Sequence, residues 1–248
     1  MLRMNKAANY EKNIKNIYRH ELKYTLCEAE KTAIISRIKD LISLDNNAIN
    51  GSYSIRSLYF DDMWNSAYEE KLIGIQSRKK YRIRIYNYSD SNIKLECKQK
   101  EGQYIYKNSA NLSKEEAQFL ISGEFEFLLE RPEQLCRQFY IECREKAMVP
   151  KAIVDYERIP YIYEPGDVRI TFDTNIRTGM LGFDIFDRDM PTLSVLNKDE
   201  LVMEVKFTEF LPQFIRDILP PDHFEYNAVS KYVLCFEKRY SSMGINEL

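Results

Sequence analysis

The stretch GIQSRKKYRIRIYNYSDSNIKLECKQK, residues 74–100, decides the fold. Arg82 and Arg84 alternate with Tyr81, Ile83 and Ile85, and Glu96 and Lys98 alternate with Leu95 and Cys97. Successive strand side chains point to opposite faces, so each half has one apolar and one charged face. A turn at Ser89–Asp90 would make the two halves a hairpin. The same pattern recurs along the chain. Arg19, Glu21 and Lys23 alternate with His20, Leu22 and Tyr24; Arg169, Thr171 and Asp173 with Val168, Ile170 and Phe172; Glu204 and Lys206 with Met203, Val205 and Phe207. One such strand reads as an exposed antiparallel strand with its polar face in water. Five of them, with acids and bases at matched spacing, imply charged faces that converge. A closed barrel with a charged lumen does this, and its natural ligand is a polyanion held with a metal.

Around these strands the sequence spells helices. Ile34, Ile35, Ile38, Leu41 and Ile42 recur at helical spacing after a first strand at about 17–26. A strand YSIRSLYFDD precedes a short helix around Asn65 to Leu72, and a strand near Tyr104 to Ser109 precedes SKEEAQFLISG, where Ser113 and Glu116 make a capping box. A helix at 130–147 leads into the strand KAIVDYERIPYIY. Glu-Pro-Gly-Asp at 164–167 then turns it into an antiparallel VRITFDT. Residues 174–190 read as loop or further strand. A last hairpin turns at Asn197-Lys198-Asp199 into LVMEVKF, and a helical C-terminus is broken by Pro220-Pro221. The order suits one α+β domain built on a barrel, spanning 17–242 between a flexible leader at 1–16 and a tail at 243–248.

The 248 residues are ample for a real core, and 44% hydrophobic with 30% charged residues is ordinary for a globular protein. Eighteen tyrosines and thirteen phenylalanines favour strands. A net charge of −2 argues against a nucleic-acid coat, so basic groups that bind a polyanion do so in a local pocket. No apolar run approaches a membrane helix and the start lacks a signal peptide, so the expected location is cytoplasmic. The five cysteines form no CxxC pair and read as reduced, mostly buried thiols. His20 and His223 are too far apart for a metal or triad spacing.

Arg82 and Arg84, with Arg78, Lys79 and Lys80 before them, are the sharpest cationic cluster. Guanidinium groups match phosphate oxygens bidentately. Lys98 sits across the hairpin, two residues from Glu96, and one carboxylate beside several cations is what a metal–phosphate site needs: the cations bind oxygens and the acid holds Mg²⁺ or Mn²⁺. Glu204 with Lys206, and Glu21 with Lys23, repeat the arrangement. For Glu21, a structural ion pair with Arg19 weighs as much as a metal-ligand role. Replacing Arg82 and Arg84 by alanine is expected to remove anion binding and leave the fold intact, because lumenal charges contribute little to stability. No Gly-rich phosphate loop and no Ser/His/Asp set is present.

Taken in order, RHELKY, IRSLYFDD, GIQSRKKYRIRIY, IKLECKQK, VDYERIPY, VRITFD, MEVK and SKY, over roughly residues 17–240, resemble the polyphosphate polymerase domain of the vacuolar transporter chaperone (VTC) family, within the triphosphate tunnel metalloenzyme (CYTH-like) superfamily. The resemblance implies an antiparallel β tunnel barrel with helices packed outside, an α+β fold. It implies ATP and polyphosphate as partners, Mn²⁺ or Mg²⁺ as cofactor, and phosphate contacts at Lys23, Arg82, Arg84, Lys98, Lys107, Arg158, Arg169 and Lys231. Glu204 matches the family's metal-binding glutamate, and Tyr156 and Ser230 match lesser polar contacts. Arg82, Arg84, Lys98 and Lys231 are the expected catalytic group. Ala228 stands where a further lysine can occur. The expected activity is transfer of the terminal phosphate of ATP to polyphosphate. The rivals are a tunnel hydrolase, in which Glu21 or Glu96 activates water, and a non-catalytic binding module.

Overall fold

In a computed structural model, residues 20–48, 50–102, 104–219 and 229–244 are described. The leader, Arg19, His223, Pro220-Pro221, Ala228 and the last four residues of the tail lie outside them. The elements run β1 (His20–Cys27), α1 (Glu28–Ile38), β2 (Ser43–Leu44), β3 (Tyr53–Asp61), α2 (Ser66–Leu72), β4 (Ser77–Tyr86), β5 (Ser89–Glu101), β6 (Tyr104–Leu112) and α3 (Lys114–Ser122). A 3₁₀ turn (Glu126–Leu129) precedes α4 (Gln134–Lys146), β7 (Val149–Tyr163), β8 (Val168–Gly179), β9 (Thr192–Ser194), β10 (Glu200–Phe207), α5 (Gln213–Arg216) and α6 (Lys231–Ser242).

The strands form one antiparallel sheet in the order β1-β10-β8-β7-β3-β4-β5-β6, with β2 on β7 and β9 on β8. Among the described residues no backbone pairing joins β1 to β6, so the hydrogen-bonded closed barrel expected from the sequence does not form. The sheet instead curls until Lys98 on β5 donates to both oxygens of Glu21 on β1, at 2.8 and 3.2 Å. Side chains close the tunnel where the backbone does not.

Strand parity sorts three cores. Leu58, Ile83, Ile85, Ile93 and Leu95 face outward under α3 and α4, with Phe139 among them. Ile170, Phe172, Met203 and Val205 face outward under α1, joined by Ile215 of α5. The third core is on the inner face. Ile55, Tyr59, Val154, Tyr156 and Ile176 share their strand face with the lumenal charges, and Tyr232, Val233, Cys235 and Phe236 of α6 pack on them. Helices α1, α3 and α4 therefore lie outside, while α6 covers one end of the tunnel from within.

The end of β3 anchors that cover. Asp61 accepts from the backbone amides of Ala67 and Tyr68 at the start of α2 and from the Tyr232 hydroxyl at 2.7 Å. Asp62 accepts from the amides of Trp64 and Ser66. These acids satisfy amide donors that Asn65, in the left-handed region with no side-chain cap, leaves open.

Several boundaries differ from the sequence reading. The β4–β5 turn is Asn87-Tyr88, both at positive φ and flanked by the Tyr86–Ser89 pair, rather than Ser89–Asp90. Positive φ at both central residues suits the twist of a two-residue hairpin loop. Strand β8 continues to Gly179, so residues 174–179 of the ambiguous 174–190 segment are strand and the rest is not. Asn197–Asp199 does not close a hairpin, because β9 and β10 both pair along β8. Leu41 lies beyond α1 and is exposed. The Ser113–Glu116 capping box forms as written. Four of the five cysteines are buried and all are free.

Candidate functional site

The lumenal charges join into a belt. Glu96, fully buried on β5, accepts two hydrogen bonds from Arg82 on one oxygen, at 2.8 and 2.6 Å, and one from Lys107 on the other, at 3.0 Å. Arg84 lies 3.8 Å from the same carboxylate and donates to Ser57 Oγ at 3.0 Å and the Tyr156 hydroxyl at 3.4 Å. The Arg158 guanidinium stands 5.3 Å over the Tyr156 ring, grips buried Asp173 bidentately at 2.6 and 2.7 Å, and reaches Glu204 at 3.5 Å. Lys231, first residue of α6, approaches Asp173 to 2.6 Å. Glu204 lies 3.2 Å from Lys206 and 3.7 Å from Lys23, and both lysines lie 3.6 Å from Glu21. Glu21 takes Lys98, and Lys98 is two residues from Glu96. The contacts return to the strand where they began.

Strand pairing sets this geometry. Lys23 pairs with Glu204 and Glu21 with Lys206 across β1 and β10, and Arg82 pairs with Glu96 across β4 and β5. Paired residues share a face, so opposite charges meet in the lumen. Counting Lys80, nine basic side chains (Lys23, Lys80, Arg82, Arg84, Lys98, Lys107, Arg158, Lys206, Lys231) face four carboxylates (Glu21, Glu96, Asp173, Glu204).

The titration of these groups reflects that imbalance. Burial alone would raise the Glu21 carboxyl, but Lys98, Lys23 and Lys206 hold it well below the usual range. Burial likewise opposes, and Arg82, Arg84 and Lys107 outweigh, in lowering Glu96. For Lys23, Lys98 and Lys206 burial wins. It brings Lys23 down to about 8 against Glu21, with Lys231 and Lys206 adding to the fall. Lys206 also falls to about 8, and Lys98 lies well below its ordinary value despite Glu21. Buried like charges crowd here, and an anion in the lumen would restore the protons they hold loosely.

Twelve of the sequence-derived candidates come together in the belt: Lys23, Arg82, Arg84, Lys98, Lys107, Tyr156, Arg158, Lys206, Lys231, Glu21, Glu96 and Glu204. Arg169 does not. It bonds Asp45 at 2.7 Å and the Tyr53 hydroxyl at 2.9 Å, at the edge of the lumen. Ser230 is the N-cap of α6 rather than a helical residue, and its hydroxyl accepts from the Val233 amide. Asp173 and Ser57 were missed as site residues, although the parity of Asp173 with Arg169 marks its face, and Lys80, read from sequence only as part of the cationic cluster before Arg82, shares the face of Arg82.

Glu96 accepts from Arg82 at 2.6 and 2.8 Å and from Lys107 at 3.0 Å, so it neutralises its cationic neighbours as Glu21 does for Lys98. Among the described residues no group of three or more His, Cys, Asp or Glu side chains could hold a cation alone. Glu204 and Glu21 share Lys23 and Lys206, and these hard carboxylate oxygens suit Mg²⁺ or Mn²⁺. Such ions are commonly bound by one or two carboxylates and completed by phosphate oxygens. The donor set fits that mode.

A family model described as the VTC domain matches residues 18–240. The chain belongs to the VTC domain family. No curated protein matches its sequence. Among solved structures, this VTC domain is similar to a candidate adenylate cyclase of Bacillus halodurans, at 12% identity over 93% of each chain and a TM-score of 0.45. It is also similar to PH1819 of Pyrococcus horikoshii OT3, at 14% identity over 90% of this chain and 100% of that one, with a TM-score of 0.44. PH1012 from the same organism follows, at 12% identity over 83% and 93% and a TM-score of 0.42. The tunnel architecture of the VTC domain rests on strand register and the belt rather than on these likenesses. Among its described residues no helix is long and apolar enough to cross a membrane.

Proposed function

We propose that this VTC domain, acting as a single unit over residues 17–242, is a metal-dependent phosphotransferase that moves the terminal phosphate of ATP onto a polyphosphate chain inside the tunnel. The observation that carries this reading is the belt: nine basic groups from seven elements around one lumen, against four carboxylates. Phosphoryl transfer requires positioning and charge neutralisation more than covalent chemistry. Arg82, Arg84, Lys98 and Lys231 hold the reacting phosphates. Lys23, Lys107, Tyr156, Arg158, Lys206 and Ser230 hold the remaining units, and Arg169 meets the chain at the rim. Glu204, with Glu21 beside it, holds Mn²⁺ or Mg²⁺, which when bound offsets charge on phosphate oxygens. The nucleophile is the terminal oxygen of the acceptor chain, which bonds the γ-phosphorus of ATP as the bond to the β-phosphate breaks and ADP leaves.

The hydrolytic alternative gains no support from the two acids considered for it. Glu21 and Glu96 are both held below the usual carboxylate range, which makes them weak bases toward water. Incubation of the purified chain with ATP and Mn²⁺, with products resolved by gel and phosphate assay, tests the proposal. Long chains are expected. Free phosphate alone would mean a hydrolase, and neither product would mean a binding module.

A further inference from the structure

We infer that Lys80 is a further phosphate-binding residue of the tunnel, holding the phosphate unit nearest α6 and setting the preference for longer chains. The inference rests on the polyanion reading of the belt. Lys80 shares the lumenal face of β4 with Arg82 and Arg84 and stands one two-residue repeat, roughly 7 Å, beyond Arg82. Its amine donates to Ser230 Oγ at 3.2 Å and lies 4.9 Å from the centre of the Tyr232 ring. It therefore points at the start of α6, which Ser230 caps and Lys231 opens. Among the described residues no carboxylate lies within ion-pair distance of it, unlike Lys23, Lys98, Lys206 and Lys231. Ser230 and a ring face are neutral partners for a half-buried ammonium, and this leaves its charge available to a ligand.

The surroundings agree. The groups acting on Lys80 are Arg78 on its own strand, Lys71 on α2, Lys23 on β1 and Asp61 on β3. Burial first, then the three cations, lowers its pKa to about 7 against Asp61. A phosphate bound there draws a proton onto the amine, so the contact weakens as pH rises above 7. An arginine at this position would keep its charge throughout.

The test compares orthophosphate, pyrophosphate and tripolyphosphate binding to the full chain by calorimetry at pH 7 and pH 9, with melting temperature as a folding control. Lys80→Met should weaken tripolyphosphate about ten- to a hundredfold at pH 7, as expected for a lost charge-assisted hydrogen bond. It should affect orthophosphate much less. Lys80→Arg should retain affinity and flatten the fall between pH 7 and 9. Wild-type tripolyphosphate affinity in a folded Lys80→Met, or an equal loss for all three anions, would overturn the inference. Arg84→Lys, which preserves a charge beside Glu96, is the parallel control for the underlying reading. If the wild-type protein shows no tripolyphosphate binding, the belt reading itself fails. If wild type binds, Arg84→Lys weakens binding and Lys80→Met is silent, only the Lys80 assignment fails.

Discussion

Replacing Arg82 and Arg84 together with alanine is expected to cost about 3–5 kcal/mol of stability, the range for a buried charge that loses its partners. Glu96 is fully buried, and the double variant would leave it only Lys107, whose side chain is half in solvent. This reverses the expectation, drawn from sequence, that the fold would be indifferent to the change. Adding Glu96→Gln should recover much of the loss, because an amide in that site carries no unpaired charge. Denaturant unfolding of the wild-type, double and triple variants reads the effect. Polyphosphate binding should stay absent in the triple variant, which separates the two roles of the arginines. An unfolding midpoint in the double variant equal to wild type would contradict the account of Glu96 as the belt's structural acid.

Glu204→Gln is expected to abolish metal stimulation and lower metal-dependent turnover about a hundredfold or more. A bound metal supplies several kcal/mol to phosphoryl transfer, and each ~1.4 kcal/mol is a factor of ten. Metal-free binding should move the other way. Removing the carboxylate releases Lys206, Lys23 and Arg158 from a competing anion, so tripolyphosphate should bind at least as tightly as to wild type in the presence of a chelator. An unchanged Mn²⁺ titration in Glu204→Gln would remove Glu204 from the metal site.

The strands that build the site were legible because their parity is simple. Arg82 and Arg84 beside Ile83 and Ile85, or Glu204 beside Met203 and Val205, allow one assignment of inner and outer face. The direction of convergence was legible for the same reason. The seam was not, because the Glu21–Lys98 contact depends on how far the sheet curls, and no local pattern encodes that. Nor was the place of α6. Its apolar residues Tyr232, Val233, Cys235 and Phe236 show that one side is buried, but not on which face of the sheet. The deciding partner, Asp61, lies 171 positions away from Tyr232. The turn at Asn87-Tyr88 escaped because tyrosine is an uncommon residue at positive φ, whereas Ser89-Asp90 has ordinary turn composition. Glu96 was a candidate metal ligand beside Glu204, and one carboxylate among cations looks alike in sequence whether it binds a metal or neutralises its neighbours. The structure adds what parity could not: the two oxygens of Glu96 meet Arg82, Arg84 and Lys107.

The most direct test of the belt as a polyanion tunnel is competition of orthophosphate, pyrophosphate, tripolyphosphate and long-chain polyphosphate against a labelled nucleotide. Basic groups spread round and along a lumen each meet a different phosphate unit, so linked contacts should raise affinity at every step of chain length. The gain should shrink as salt is raised, since screening acts over about 10 Å at 0.1 M. Orthophosphate competing as well as tripolyphosphate would contradict the account and reduce the belt to a simple anion site.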